Sequence, residues 1–201
     1  RRLIKETGIR PQQIVGIGFS GHMHSIVPLG TDLSPVYNSI VWADTRSSEQ
    51  ARYIDSLTNI THWNPAISAY SAPKIMWLRQ NKPEIFEKVH RILYPKDYLR
   101  FRMTGAISTD YSDASGSLTW DFASRDWDAT AISAIGLSSA LFPQPQESSR
   151  IGGSLSQDAA DQMGLVPGIP VAIGAGDVAA AVIGSGITSP NALLINAGTA
   201  A

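Results

Sequence analysis

Apolar and polar positions alternate in blocks that read as strand and then helix over most of the chain. Residues 14–19 (Ile-Val-Gly-Ile-Gly-Phe) form a short β-branched apolar run, the pattern of a buried strand, and lead into Ser20-Gly-His-Met-His-Ser25. Residues 26–29 and 36–42 read as two more strands, with a turn at Gly30-Thr-Asp32 between them. A helix is expected over 49–57, with Ser47 or Ser48 as its cap, followed by a loop holding Thr58, Asn59, Asn64 and Pro65. Pro73 and Pro83 mark the starts of two further helices. In the first, Ile75, Met76, Trp77 and Leu78 predict one buried face. Residues 91–94 read as a strand, and the run from Pro95 to Gly105 as a helix opened by proline and stopped by glycine. The Ser-, Asp- and Gly-rich stretch 109–127 predicts ordered turns or a hairpin. Residues 129–135 predict a helix, 143–153 a polar connection, and 155–163 a helix ended by Gly164. The chain closes with strand 171–173, helix 178–183 and strand 192–195. Strands alternating with helices predict an α/β fold.

Within that pattern one stretch stands out. Val171-Ala-Ile-Gly-Ala-Gly-Asp177 carries a buried-strand signal into two glycines that allow a tight turn, and an Ala-rich helical segment follows. Asp177 therefore sits at the mouth of a strand–Gly–helix unit, where open α/β sheets tend to place ligands. The same position also suits a carboxylate that only caps the helix. Local sequence leaves both readings open.

Composition narrows the classes. The chain has 201 residues, 43% hydrophobic and 16% charged, an ordinary globular composition and enough for one good-sized domain. Sixteen Lys and Arg face seventeen Asp and Glu, for a net charge of −1 without a basic block, so neither nucleic acid nor a membrane surface is an expected partner. Cysteine is absent, which excludes disulfides and thiolate metal sites and suits a reducing cytoplasm. No apolar run reaches the length of a membrane span. Residues 1–6 resemble the end of an amphipathic helix without a starting Met, and residues 196–201 stop inside a Gly-Thr turn. Both features predict a piece of a longer protein.

Four constellations carry candidate chemistry. His22 and His24, two residues apart at a strand end, point the same way and could hold a divalent metal. Such a site needs further ligands, and the remaining His62 and His90 lie in contexts unlike strand ends, so no metal site is assigned. The alternatives are a turn histidine in a structural hydrogen bond, or a polyol site in which His24 meets a hydroxyl beside Met23. Trp42 could pack on the apolar face of a sugar, with Asp44 and Arg46 nearby for hydroxyls. Equally, Trp42 could be core, and Asp44 with Arg46 a surface ion pair of little energetic weight. Asp177 with its glycines is the third constellation. Asn196-Ala-Gly-Thr199 is the fourth, a turn whose backbone N–H groups and hydroxyl could meet a phosphate.

Several of these stretches occur together in a known order. Ser20-Gly-His-Met-His24, Val41-Trp-Ala-Asp-Thr-Arg46, Ser71-Ala-Pro-Lys-Ile-Met-Trp77, Pro95-Lys-Asp-Tyr-Leu-Arg100, Met103-Thr-Gly105, Asp110-Tyr-Ser-Asp-Ala-Ser-Gly116 and Gly174-Ala-Gly-Asp177 resemble the FGGY family of carbohydrate kinases over nearly the whole chain. Within it, the stretches at 95–100 and 112–116 are most similar to the xylulokinase branch; gluconate kinases are the nearer rival and glycerol kinases the more distant one.

The resemblance implies an actin-like (ribonuclease H-like) α/β fold. Residues 1–187 would form a sugar-binding N-terminal domain lacking its first strands, and 188–201 the start of a nucleotide-binding domain. It implies ATP and Mg2+ as cofactors, a small-molecule sugar as partner, and a cytoplasmic enzyme; a homodimer stays open. The implied reaction is phosphorylation of a sugar hydroxyl, D-xylulose first, with gluconate or another polyol, or a non-catalytic sugar-binding module, as alternatives. Asp177 matches the family's catalytic Asp. Met23 and His24 match its substrate-binding pair, Trp42 an indole lining the polyol pocket, and Gly198 with Thr199 the start of a phosphate loop. Three departures bear on this: Val178 stands where Asn is usual, His22 where Gln is common, and Ala200-Ala201 where Ser-Gly is expected. The chain by itself is expected to be inactive.

Overall fold

The computed structural model describes residues 2–58, 64–187, 189 and 191–193. Helix α1 (Arg2–Thr7) precedes strands β1 (Ser20–Gly21) and β2 (Val27–Leu29). Helices α2 (Ser48–Ser56), α3 (Ser71–Asn81) and α4 (Pro83–Phe86) lead to β3 (Arg91–Leu93) and α5 (Pro95–Thr104). Next come β4 (Thr109–Asp110), α6 (Tyr111–Ser115), the hairpin β5 (Trp120–Asp121) and β6 (Asp126–Trp127), and α7 (Ala129–Ala134). The chain continues through β7 (Pro145–Gln146), β8 (Ile151–Ser154), α8 (Gln157–Met163), β9 (Pro170–Ala172), β10 (Ala175–Gly176) and α9 (Asp177–Gly184). Expected strand 192–195 lies partly outside the described residues.

The pairing that positions the site is parallel. Strand β1 lies beside β10, with Ser20 opposite Ala175 and Gly21 opposite Gly176. Upstream, Ile17 bridges Val171 in the same sense. The regular strand expected over 14–19 is not formed. Its ladder is interrupted because Gly174, at φ +82°, turns its N–H away to the Ser148 carbonyl, 3.0 Å distant. A side chain at Gly174 would meet the Phe19 carbonyl oxygen at 2.7 Å, so only glycine fits. Val15 in this stretch is 83% exposed, not buried.

The other expectations fare unevenly. The strand expected over 36–42 shrinks to isolated bridges, Leu29 with Pro35 and Ile26 with Ile40. Pro28 in β2 accepts the Val36 N–H at 3.0 Å but has none of its own to return, so the ladder stops there. Helix α5 runs from Pro95 and ends at Gly105, φ +74°, as its sequence predicts. Helix α3 begins at Ser71, before Pro73, and is buried through Ser71, Ala72, Pro73, Lys74, Ile75, Met76 and Leu78 instead of along one face. The turn region 109–127 contains a helix, α6, and the polar connection 143–153 contains β7 and most of β8. Both depend on partners distant in sequence: β7 pairs with β4, and β8 with β9.

Two main cores result. Ile26, Ile40, Ile54, Ile75, Ile92 and Ile132 form one, around α2, α3 and α7. Met103, Leu155, Ala160 and Val171 form the other, between α5, α8 and β9.

Between the helices lies a buried charge cluster. Lys96 Nζ is 2.7 Å from Asp97 Oδ1, 2.7 Å from Asp110 Oδ1 and 2.9 Å from Asp113 Oδ2. Arg100, equally buried, approaches Asp97 Oδ1 at 3.4 Å and donates to the Ser108 carbonyl. Two cations thus face three carboxylates in a buried interior. Burial, opposed by Lys96, pushes the pKa of Asp113 up to about 7 and raises that of Asp97 as well. Asp110 moves the other way, since Lys96 and the Ser112 bonds outweigh its burial.

Because the Asp113 value is raised on folding, the folded chain holds a proton that the unfolded chain releases. Its contribution is fully present below pH 3.8 and is lost as pH rises through about 7. Compared with Asp113→Asn, which mimics the protonated form, the wild type should lose about 1 kcal/mol of unfolding free energy between pH 6 and 8. Urea melts at the two pH values check this; parallel pH dependences in the two proteins would contradict it.

Candidate active site

Because β1 and β10 run parallel in register, the residues that follow them emerge side by side: Met23 and His24 from one, Asp177 from the other. This is the carboxyl edge, where such sheets bind ligands.

Asp177 opens helix α9 and is exposed; its Oδ1 accepts the N–H of Val178 at 2.9 Å. An anion at a helix start is favoured by the aligned backbone dipoles. Met23 packs against the residue just before it: a Cβ on Gly176 would fall 2.5 Å from Met23 Cγ. The opposite neighbour of Met23 and His24 is Gly116, where a Cβ would meet His24 Cε1 at 2.4 Å. Two glycines therefore make room for one Met-His pair.

His24 has a left-handed backbone, φ +68°, sparsely populated for a residue with a side chain. Two contacts hold it. Its Nδ1 lies 3.1 Å from the Gly116 carbonyl, and its ring meets Tyr70 edge-on at 4.8 Å. A carbonyl offers no proton, so Nδ1 carries it and Nε2 is the acceptor. Burial, chiefly, holds the imidazole pKa below 6.5, helped by the Lys74 ammonium and opposed by the Gly116 bond and the Asp177 carboxylate. His24 is thus a neutral hydrogen-bond acceptor at physiological pH.

Lys74 was not expected in this role. Its side chain is fully buried, and Nζ donates to the carbonyls of Ser68, Ala69 and Tyr70. Burial, opposed by Asp44, lowers its pKa to about 8. It closes the segment that presents Tyr70 to His24. The clue in the sequence was a lysine amid apolar neighbours, Pro73-Lys-Ile-Met-Trp77; its partners were not legible.

Trp42 is 43% exposed, and its backbone N–H donates to Ser25 Oγ at 2.9 Å, tying it to the residue after His24. The core alternative for Trp42 therefore does not apply. Asp44 and Arg46 pair with each other: Arg46 Nε lies 2.8 Å from both Asp44 oxygens and Nη2 2.7 Å from Oδ2. Arg46 also stacks over Trp77 at 4.8 Å. The Arg46 bond holds the Asp44 carboxyl below its usual range. His22 is exposed, and Gly198 with Thr199 lie outside the described residues.

The domain is α/β and of actin-like type, with an exposed carboxylate and a neutral imidazole at the ends of neighbouring parallel strands. Residues 1–184 match the N-terminal domain of the FGGY family of carbohydrate kinases, and the chain belongs to that family. It is similar to the xylulose kinase of Bacillus subtilis (strain 168), 37% identical over 202 residues, which cover 98% of this chain and 40% of the relative. Among solved structures it resembles the xyloylose kinase from Brucella ovis, at TM-score 0.83 and 33% identity, over 94% of this chain and 40% of that one. The gluconate kinase from Lactobacillus acidophilus, 23% identical with TM-score 0.76 over 88% of this chain and 36% of its own, shares the fold alone. The chain spans about 40% of the length of the curated relatives it matches.

The closeness of carboxylate and imidazole is measurable. An NMR titration of His24 should give a midpoint below 6.5, and Asp177→Asn should lower it further by removing a nearby negative charge. A midpoint indifferent to Asp177 would place the two groups out of electrostatic range.

Proposed function

We propose that this chain is the sugar-binding part of an ATP-dependent kinase that phosphorylates D-xylulose to D-xylulose 5-phosphate, with Asp177 as the proton acceptor. The observation that carries the reading is the exposed Asp177 carboxylate beside the Met23–His24 pair at the ends of β1 and β10. Membership in a family of carbohydrate kinases and similarity to xylulose kinases support it.

Phosphoryl transfer has a loose transition state, so the protein mainly positions reactants and manages charge. Asp177 orients the attacking hydroxyl, on carbon 5 of the sugar, and takes its proton as the new oxygen–phosphorus bond forms and the bond from that phosphorus to the departing ADP breaks. Its exposure leaves it open to a ligand, and it stands at the start of α9, where the aligned backbone dipoles favour negative charge. His24, neutral with a free Nε2, accepts a hydrogen bond from a sugar hydroxyl. Met23 and Trp42 offer apolar surface to the C–H faces of the ligand. ATP with Mg2+ supplies the phosphoryl group; Gly198 and Thr199, in the segment proposed to begin a nucleotide-binding domain at 188, would contact its phosphates.

Among the described residues no helix is long and apolar enough to cross a membrane. A cytoplasmic enzyme acting on a small soluble sugar is part of the proposal. Sugar choice turns on Val178, 54% exposed directly after Asp177, an apolar group where a hydroxyl-binding amide is usual in xylulokinases.

The test is turnover by the longer protein carrying both halves, assayed with MgATP on a panel of pentuloses, polyols and aldonates. D-Xylulose is expected as the best acceptor; best turnover of gluconate would move the assignment within the family. Sugar binding without turnover of any acceptor would refute the kinase reading. Asp177→Asn should lower kcat by about 10³-fold while sugar affinity stays within a few-fold. His24→Ala, losing one hydrogen bond, should raise the sugar KM by about three- to tenfold with a smaller change in kcat.

A further inference from the structure

The buried charge cluster and the site are joined by hydrogen bonds that converge on one carboxylate. Asp110 Oδ1 is held by Lys96 at 2.7 Å. Its other oxygen, Oδ2, accepts from the Ser112 N–H at 2.8 Å, from the Ser112 hydroxyl, and from the Ser148 hydroxyl at 2.9 Å. Each of these serines then holds a peptide N–H of the turn that ends in Asp177. Ser112 Oγ accepts the Gly176 N–H at 2.8 Å, and the Ser148 carbonyl accepts the Gly174 N–H at 3.0 Å. Both glycines preceding Asp177 are thus tied, through two serines from different segments, to a single buried carboxylate.

The far end of α6 does the same for the imidazole. Gly116, directly after the helix, presents its carbonyl to His24 Nδ1 at 3.1 Å. Asp113, in the middle of the helix, faces Lys96 at 2.9 Å. A five-residue helix would be marginal in isolation. Here Asp110 caps its N-terminus, and the shared ammonium pins its Asp110 and Asp113 side chains. One end touches the backbone just before the proposed proton acceptor and the other the proposed sugar-binding ring.

We infer that Ser112, braced by Asp110 and through it by Lys96, is a positioning residue for phosphoryl transfer: it fixes the backbone immediately before Asp177, while Gly116 on the same helix fixes His24. The helix sets the separation between the proton acceptor and the sugar-binding imidazole. This rests on the kinase reading of Asp177 and His24. The physical argument is that a carboxylate must meet one hydroxyl within hydrogen-bond reach, and small misplacement is costly. Removing the Ser112 hydroxyl leaves the Gly176 N–H without its acceptor and frees the strand end to shift.

The test uses Ser112→Ala and Ser112→Thr in the longer kinase. Ser112→Ala should lower kcat by about tenfold with the sugar KM within about twofold. It should also speed amide hydrogen exchange at Gly176. Ser112→Thr, which keeps the hydroxyl, should restore kcat to within about threefold of wild type. Unchanged kcat in Ser112→Ala overturns the inference, and so does a fall in kcat without faster exchange at Gly176. A fall in both that Ser112→Thr, folded with wild-type Tm, does not reverse overturns it as well. If the wild-type protein phosphorylates no sugar, the functional reading fails by itself. The link is then judged by Gly176 exchange and by whether Ser112→Ala leaves the His24 Nδ1 shift in place, as expected if the Gly116 and Tyr70 contacts to the ring do not depend on the Ser112 hydroxyl.

Discussion

One buried ammonium group organises the site. Lys96 lies among Asp97, Asp110 and Asp113, all three carboxylates fully buried, and touches each at 2.7 to 2.9 Å. Taking such charges out of water is expensive, and the mutual attraction offsets the cost only when every partner is in place. The cluster therefore tolerates one arrangement of α5, β4 and α6. Removing the lysine would leave Asp110 and Asp113 without a cation in a buried interior, with only Arg100 still near Asp97, so the cluster defines a conformation more than it adds stability. From Asp110 that definition passes through Ser112 and Ser148 to the glycines before Asp177.

A second buried ammonium does a parallel task on the other side. Lys74 gathers the carbonyls of residues 68–70 and so presents the Tyr70 ring to His24. The two lysines differ in consequence. Lys96 is surrounded by carboxylates and stays charged, whereas Lys74 is held by neutral carbonyls and has its pKa lowered to about 8. Its positive charge helps keep His24 neutral, so the imidazole accepts a hydrogen bond instead of carrying a charge beside the Asp177 carboxylate. The left-handed backbone at His24 is the local cost, compensated by the Gly116 carbonyl and the Tyr70 edge.

This division of labour suits the proposed phosphoryl transfer, in which the protein forms no bond to its substrate. For phosphoryl transfer the useful work is alignment, and alignment needs a rigid frame behind a few exposed groups. The groups at the site are few: an exposed carboxylate and indole, and a half-buried acceptor nitrogen and thioether. The frame is elaborate by comparison, and most of its polar atoms belong to residues that never reach the surface.

Locally encoded features were legible in the sequence. Pro95 and Gly105 bound α5 because ring constraint and left-handed freedom act at single positions. Asp177 stood out because strand, glycines and helix follow one another within a dozen residues. The pairings that decide the site were not legible, since each joins distant segments. Asp110 meets Ser148 across 38 residues and Ser112 meets Gly176 across 64. A Ser-, Asp- and Gly-rich stretch looks like turns until its carboxylates find Lys96, and a polar connection looks like a loop until 145–146 pairs with 109–110. The amino-acid order by itself determined the α/β class and the carboxylate at the strand end, because those follow from short-range spacing, and its motifs carried the resemblance to the family. Only the tertiary structure decided which lysines are buried, which way the imidazole is protonated and what holds Asp177 in place, because desolvation and hydrogen-bond partners exist only once remote segments have met.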